Sequence, residues 1–360
     1  MVKISAERLR KITYAVFTAA GCTDEEATLL STYLVDANLR GHDSHGVSYI
    51  STYTERILEG SIIPGSQPEI VEEALATALV DGKKGVGQLN ATKGMEIAIK
   101  KAKEYGVGVV SIFNCNHIGR MSDYASMALE HDMIGFITAN VGGSSVAPHG
   151  GTKGVFGTNP LCYALPAGEE DPIIVDFATS VFAGGKVSVA IAKGEQMPEG
   201  VLLDHQGYPT TDPLSYWAPR AADGTRGPRG PLLPFGGIVG YKGYGLCLVA
   251  DILGGALSGS GSASQARSNG VFMMVVDISK FRPIEEFKAD VDRVIQECKA
   301  VPARPGYIGL NGETTVLIPG EPERIAEEKN KREGIEIPDR VWQRILETAK
   351  KVEVEIENIR

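Results

Sequence analysis

The sequence has no excess of positive charge: 36 Lys and Arg stand against 45 Asp and Glu, a formal net charge of -9. Proteins that bind phosphate backbones usually carry a basic face or stripe, and no such cluster occurs here, so nucleic-acid partners are excluded. Long apolar runs are missing as well. Nowhere do about 18 apolar residues follow one another, the least that crosses a bilayer. The opening Met1-Val-Lys-Ile-Ser-Ala-Glu-Arg lacks the apolar core of a secretory signal. A cytoplasmic protein with no membrane partner is expected. Cysteine is scarce: Cys22, Cys115, Cys162, Cys247 and Cys298 are scattered, odd in number and without a C-x-x-C spacing. That excludes a disulfide framework and a cysteine zinc site, and predicts reduced, mostly buried thiols.

What is present is an ordinary globular balance, 43% hydrophobic and 22% charged over 360 residues, which rules out a disordered or fibrous chain. Ser5 caps a first predicted helix with Leu9, Ile12, Val16 and Ala19 on one face, ending near Gly21. Thr23-Asp-Glu-Glu26 is a capping box for a second, which ends near Gly41. Ile50, Tyr53 and Ile57 mark a third, closing at Gly60. From Thr77 the pattern alternates between β-prone runs (78–80, 107–112, 134–138, 173–176 and 271–276) and helices (about 90–105, 119–131, 180–193, 242–256 and 284–299), which predicts an α/β layer architecture. Residues 195–240 are rich in Gly, Pro and Asp and too long for an ordinary connection, so they are expected to be either functional or mobile. The tail from Pro322 returns to charged amphipathic helix.

Only six histidines occur, and two sit in surroundings suited to a site: Arg40-Gly-His-Asp-Ser-His45-Gly46 and Asn114-Cys-Asn-His117-Ile-Gly119. His117 follows a strand and precedes a helix, the carboxyl edge where α/β proteins bind ligands. Histidine suits alcohol oxidation, because its ordinary pKa of about 6.5 lets it accept a hydroxyl proton and later return it. His42-x-x-His45 invites a metal reading, but the Glu of H-E-x-x-H is absent and no third ligand follows at short spacing. The glycines of Asp81-Gly-Lys-Lys-Gly85-Val-Gly87 lack the third glycine of G-x-G-x-x-G, so a Rossmann loop is not expected. Gly157-Thr-Asn-Pro160 reads as a turn or a set of amides for phosphate. Tyr241-Lys-Gly-Tyr-Gly245 places a lysine at a helix N-terminus, an anion site or a plain cap.

Asp43-Ser-His-Gly-Val47, the Asn-x-x-His-x-Gly pattern at His117, Val146-Ala-Pro-His-Gly-Gly151, Gly157-Thr-Asn-Pro160, Asp176-Phe-Ala-Thr-Ser180, Gly207-Tyr-Pro-Thr-Thr-Asp-Pro213 and Tyr241-Lys-Gly-Tyr-Gly-Leu246 occur in one order along nearly the whole chain. In this the sequence resembles the malate/L-lactate dehydrogenase family, which also holds ureidoglycolate, sulfolactate and diketogulonate oxidoreductases. The resemblance implies a homodimer in which a non-Rossmann NAD(P)-binding mixed-sheet domain (73–301) is inserted in a helical domain built from both chain ends (1–72 and 302–360). It implies hydride transfer between NAD or NADP and a small 2-hydroxy acid, a carboxylate substrate, without choosing between the two cofactors. By the same resemblance His45, Ser44 and His117 serve substrate binding and proton transfer. Asp176, Phe177, Ala178 and Thr179, with Thr158, Asn159, Lys242, Gly243 and Gly320, lie at the cofactor site. Asp176 is expected either to fix a histidine tautomer or to order that pocket.

One departure stands out. Relatives commonly carry an arginine four residues after the motif histidine, where it can clamp a carboxylate, and here Tyr49 holds that place. A phenol does not replace a bidentate guanidinium. Arg40, Arg120 and Lys186 are the substitute cations in reach, and Arg120, three residues past His117, is preferred. Arg220, Arg226 and Arg229 in the 195–240 segment suggest a lid that excludes water. Two rivals remain: a metal-dependent lyase or hydrolase using His42, His45 and His117, and a non-catalytic member that keeps only dinucleotide binding.

Overall fold

A computed structural model describes residues 1–217, 227–266, 268–309 and 312–359. The helix signals near the N-terminus act as their chemistry requires. Ser5 accepts the backbone N–H of Arg8 to start α1 (Ala6–Ala19), and the reciprocal Thr23–Glu26 capping box starts α2 (Asp24–Leu39). Glu26 also accepts the Gly65 N–H, which ties down the connection beyond α3 (Tyr49–Leu58). The chain ends meet: β1 (Val2–Ile4) pairs antiparallel with β11 (Ile335–Ile337), between α9 (Glu321–Glu333) and α10 (Asp339–Lys351). Leu9, Ile12, Val16, Phe17, Leu30 and Ile50 share one buried cluster with Ile335, Ile337 and Ile345, so the apolar faces of both ends form a single core.

The remainder is built on a seven-stranded mixed sheet in the order β2-β3-β4-β10-β5-β6-β7. Its strands are β2 (Glu69–Glu73), β3 (Thr77–Asp81), β4 (Val107–Cys115), β5 (Met133–Asn140), β6 (Pro160–Leu165), β7 (Ile173–Ala178) and β10 (Asn269–Asp277). Only β3 and β4 run parallel, joined by the crossover α4 (Gly87–Tyr105); every other neighbouring pair is antiparallel. The sheet begins at Glu69, upstream of the boundary expected at 73. Met95, Ala98 and Ala102 of α4 bury against Val110, Ile112, Met273 and Val275, the long apolar runs of β4 and β10 being what a doubly covered strand needs. α5 (Ser122–Ala125) continues as a 3-10 turn through His131, and α8 is Ile284–Ala300.

The 195–240 segment is not a bare loop. It carries the short pair β8 (Leu202–Leu203) and β9 (Pro209–Thr210), and Val201, Leu202, Tyr216 and Leu232 close a third cluster with Val146, Phe156 and Val187 of α6 (Gly184–Lys193). Trp217 and Arg229 from it reach the candidate site; Arg220 and Arg226 lie outside the described residues. α7 (Tyr241–Asp251) runs into a π-turn, Ile252–Ala256. Four of the cysteines are buried and Cys298 is exposed. Burial pushes the Cys22 and Cys115 thiols up to about 12, as expected for inert packing thiols. Among the described residues, no helix is long and apolar enough to cross a membrane.

Candidate functional site

A cleft of about 670 Å³ opens where α3 and the turn after α2 face the ends of β4, β5 and β7 and the start of α6. Two local devices bring the histidines into it. After α2 the chain turns through a 3-10 helix, Asp43–His45, held by Asn38, whose Nδ2 donates to Asp43 Oδ1 (2.6 Å) and whose Oδ1 accepts the Val47 N–H (2.8 Å). At the end of β4, Asn116 Nδ2 donates to the carbonyls of Lys84 (2.9 Å) and Gly85 (3.0 Å), and the Gly82 N–H bonds to Phe113 O (2.8 Å). The glycine-rich 81–87 segment thus anchors the strand end before His117.

The two imidazoles lie nearly parallel, 16° apart, with ring centroids separated by 5.8 Å. Tyr49 stacks on His117 at 4.6 Å and lies 6.4 Å from His45, so the residue standing where relatives commonly have arginine forms an apolar wall of the cleft. His45 Nδ1 contacts Ser44 Oγ at 3.1 Å, and His117 Nδ1 contacts the Tyr53 hydroxyl at 2.5 Å. Burial is the first cause that holds both rings below the usual histidine range. For His45, the Asp176 carboxylate pulls back upward while His42 and Arg120 add to the depression. His117 falls to about 3, with His45 and Arg56 adding to the effect of burial. Both rings are thus neutral near pH 7.

Arg120 lines the cleft but is bound to Asp123, and the pair is about 5% and 4% exposed. Arg40 Nη1 stands 3.5 Å from the same carboxylate. Burial pushes Asp123 up against the pull of both arginines. Lys186 and Arg229 are the other lining cations; Lys186 Nζ lies 5.4 Å over Phe182, and the Arg229 guanidinium 5.3 Å over Trp217. Asp176 also lines the cleft, but its Oδ2 accepts the backbone N–H groups of Met121 (3.1 Å) and Ser122 (2.8 Å). No hydrogen bond joins Asp176 to either imidazole among the described residues, so it does not fix a tautomer by contact; its charge acts through space.

Of the residues expected at a cofactor, Thr158, Phe177 and Ala178 join Asp176 on the lining. Thr179 and Asn159 are buried behind it: Thr179 Oγ1 donates to the Thr158 and Asn159 carbonyls, and Asn159 Oδ1 accepts the Val141 N–H. They brace the wall from behind. Lys242 and Gly243, at the start of α7, and Gly320, at the start of α9, are not part of the lining. What the sequence did not mark is the start of α6. No side chain caps that helix, and the cleft is lined there by Gly184, Gly185 and Lys186, opposite Ser144 and Ser145. The Gly184 and Gly185 amides of this first turn, which no side chain caps, are with the lysine and the hydroxyls a donor set for a diphosphate, and Phe177, Phe182 and Trp217 supply faces for flat rings. This chemistry fits a nicotinamide dinucleotide. It does not suit a metal: no group of three or more His, Cys, Asp or Glu that could hold an ion occurs among the described residues, and His42 Nε2 contacts Glu323 at 3.2 Å.

The family model described as malate/L-lactate dehydrogenase matches residues 4–346. The malate/(S)-sulfolactate dehydrogenase of Methanothermus fervidus is 37% identical over 98% of this chain and 99% of its own, and the hydroxycarboxylate dehydrogenase B of Escherichia coli K12 is 32% identical over 97% and 94%. Among solved structures, the sulfolactate dehydrogenase of Methanocaldococcus jannaschii superposes with a TM-score of 0.87 at 34% identity, covering 99% of both chains. A putative malate/lactate dehydrogenase of E. coli gives 0.88 at 30% identity, over 100% of this chain and 98% of that one.

Proposed function

The chain belongs to the malate/L-lactate dehydrogenase family, and on that premise we propose that its cleft interconverts a small 2-hydroxy acid and the matching 2-oxo acid by hydride transfer to and from NAD or NADP. The observation that carries this reading is the neutral, stacked His45–His117 pair facing the uncapped start of α6 across one cleft. The amides and hydroxyls of Gly184, Gly185, Ser144 and Ser145, with Lys186, would hold the dinucleotide, which supplies a carbon that accepts or returns hydride. The chain does the rest. Arg120 receives the substrate carboxylate, its own charge kept in place by Asp123. The imidazole pair receives the substrate oxygen, takes its proton during oxidation and returns it during reduction. Ser44 holds His45 in place, and the Asp176 charge supports the imidazolium that forms. Tyr49 and Tyr216 wall the cleft from water.

Residues 238–257 support a homodimer. Ile238 is fully exposed, and Leu246, Val249, Ile252 and Leu257 are 38% to 56% exposed along α7 and its π-turn, a row of apolar side chains that a second copy would cover.

The test is a panel of 2-oxo acids mixed with the protein and with NADH or NADPH, followed by nicotinamide absorbance. Oxidation of either cofactor by at least one acid is expected, and its pattern names substrate and cofactor together. His45→Ala and His117→Ala should each lower kcat by about 100-fold or more. A silent panel with tight dinucleotide binding would instead favour the binding-only rival.

A further inference from the structure

We propose that Tyr53 and Gln88 are positioning residues that hold His117 as its Nε2–H tautomer, so that His117 donates a hydrogen bond to the substrate oxygen and His45 alone carries the proton. The substrate half of this statement rests on the 2-hydroxy acid reading above; the tautomer does not.

Tyr53 lies on α3, one turn beyond Tyr49, and is 2% exposed. Its hydroxyl has two neighbours: His117 Nδ1 at 2.5 Å and Gln88 Nε2 at 3.1 Å. A phenol offers one proton and two lone pairs, whereas an amide nitrogen only donates. Gln88 therefore takes a lone pair, and the single phenolic proton goes to His117 Nδ1. Burial, reinforced by the nearby Tyr49, pushes the Tyr53 phenol far above its ordinary range and keeps that proton in place. A ring whose Nδ1 accepts carries its own proton on Nε2.

The arrangement is built into the backbone. Gln88 is the second residue of α4, and the preceding Gly87 lets that helix lie against the stretch it serves: a Cβ there would stand 2.2 Å from the His117 carbonyl oxygen. Gln88, Tyr53 and His117 come from three elements, and their bonds form one chain, amide to phenol to imidazole.

The consequence is a division of labour between two rings that look alike in sequence. His117 does not take up a proton near neutral pH, for burial holds it at about 3. His45 lies in the field of the Asp176 carboxylate, which favours its charged form, and its Nδ1 contacts Ser44. Two rings with different hydrogen-bond partners, Tyr53 for one and Ser44 for the other, take the two roles that carbonyl reduction requires, a fixed hydrogen-bond donor and a proton carrier.

The decisive measurement is the histidine nitrogen NMR spectrum of the full-length protein labelled with 15N-histidine, with the His117 signals identified by their loss in His117→Asn. The Nε2–H pattern is expected, unchanged from about pH 5.5 to 8.5 across the ordinary histidine range. An Nδ1–H pattern, which would follow if Gln88 turned its oxygen to Tyr53, overturns the proposal, and so does titration near neutrality. Tyr53→Phe keeps the ring and removes the proton. It should mix the two tautomers and lower kcat by about 10- to 100-fold, the usual cost of losing a partner that orients a histidine, with KM for the oxo acid little changed. An unaltered tautomer with unaltered kcat also overturns it. An Nε2–H pattern in a protein that reduces no oxo acid would sink the hydroxy-acid reading and leave the Tyr53–Gln88 lock standing.

Discussion

Replacing Gly185 by alanine tests whether the start of α6 sets the position of the Ser44–His45 pair. A Cβ at Gly185 would lie 2.7 Å from Ser44 Cβ and 3.7 Å from its Oγ. Carbon atoms rest at about 3.5–4.0 Å, so one of the two segments must retreat by about 1 Å. Overpacking of this kind costs about 1–3 kcal/mol. The gain of about 1 kcal/mol from replacing glycine inside a helix offsets part of that, and the melting temperature should move little. Activity should move far more, because a displacement of about 1 Å at a reacting group costs about 100-fold in rate. The backbone amide survives the change, so cofactor KM should stay near the parent value. The assay is a cycle: kcat for the parent, Gly185→Ala, Ser44→Gly and the double variant. Ser44→Gly lowers activity by itself, but it also removes the carbon that the new methyl would strike. In that background Gly185→Ala should cost less than about threefold. Equal losses in both backgrounds, or a Gly185→Ala enzyme of normal kcat, would refute the contact as the cause.

Acid should weaken the fold partly through His117. Its folded pKa, about 3, lies below the unfolded value near 6.5, so the unfolded chain binds more protons below pH 6.5 and stability falls as pH drops from there towards 3. The loss from His117 by pH 5 is about 2 kcal/mol. The urea stability difference between parent and His117→Gln should therefore shrink by about that amount between pH 7 and pH 5; parallel pH dependences would rule the account out. Ile252→Asp puts a charge into the exposed apolar row of the π-turn and should shift sedimentation from dimer to monomer, whereas a parent protein that already sediments as a monomer contradicts the homodimer.

How much of this was legible depended on whether a signal was local. Ser5, the Thr23–Glu26 box and the closing Gly60 sit within a few residues of the backbone groups they serve, and the first two helices start, and the third stops, where those signals put them. Strands buried on both faces, such as β4 and β10, read as continuous apolar runs. β2 did not, because all five residues of its Glu-Ile-Val-Glu-Glu edge are exposed. β6 was hidden by Pro160 at its start and by an exposed Tyr163 within it.

The site was legible only where its chemistry is written in residue type. His45, His117, Ser44 and Asp176 belong to motifs, Arg120 was picked out by its spacing from His117, and all five line one cleft. Tyr53 was read as an apolar position of a helix, and by burial it is one. Its second role depends on partners 35 and 64 residues away in sequence, Gln88 and His117, and no local pattern distinguishes a packing tyrosine from one that commits its only proton to a histidine. The start of α6 was invisible for the opposite reason: its signal is a missing cap at Ala183, and an absent side chain is informative only once the cleft it faces is known. Fold-level contacts thus decide what two similar imidazoles can do. The same residue type becomes a donor beside Tyr53 and a proton carrier within the field of Asp176, and that difference was fixed by neighbours in space, beyond the reach of spacing in sequence.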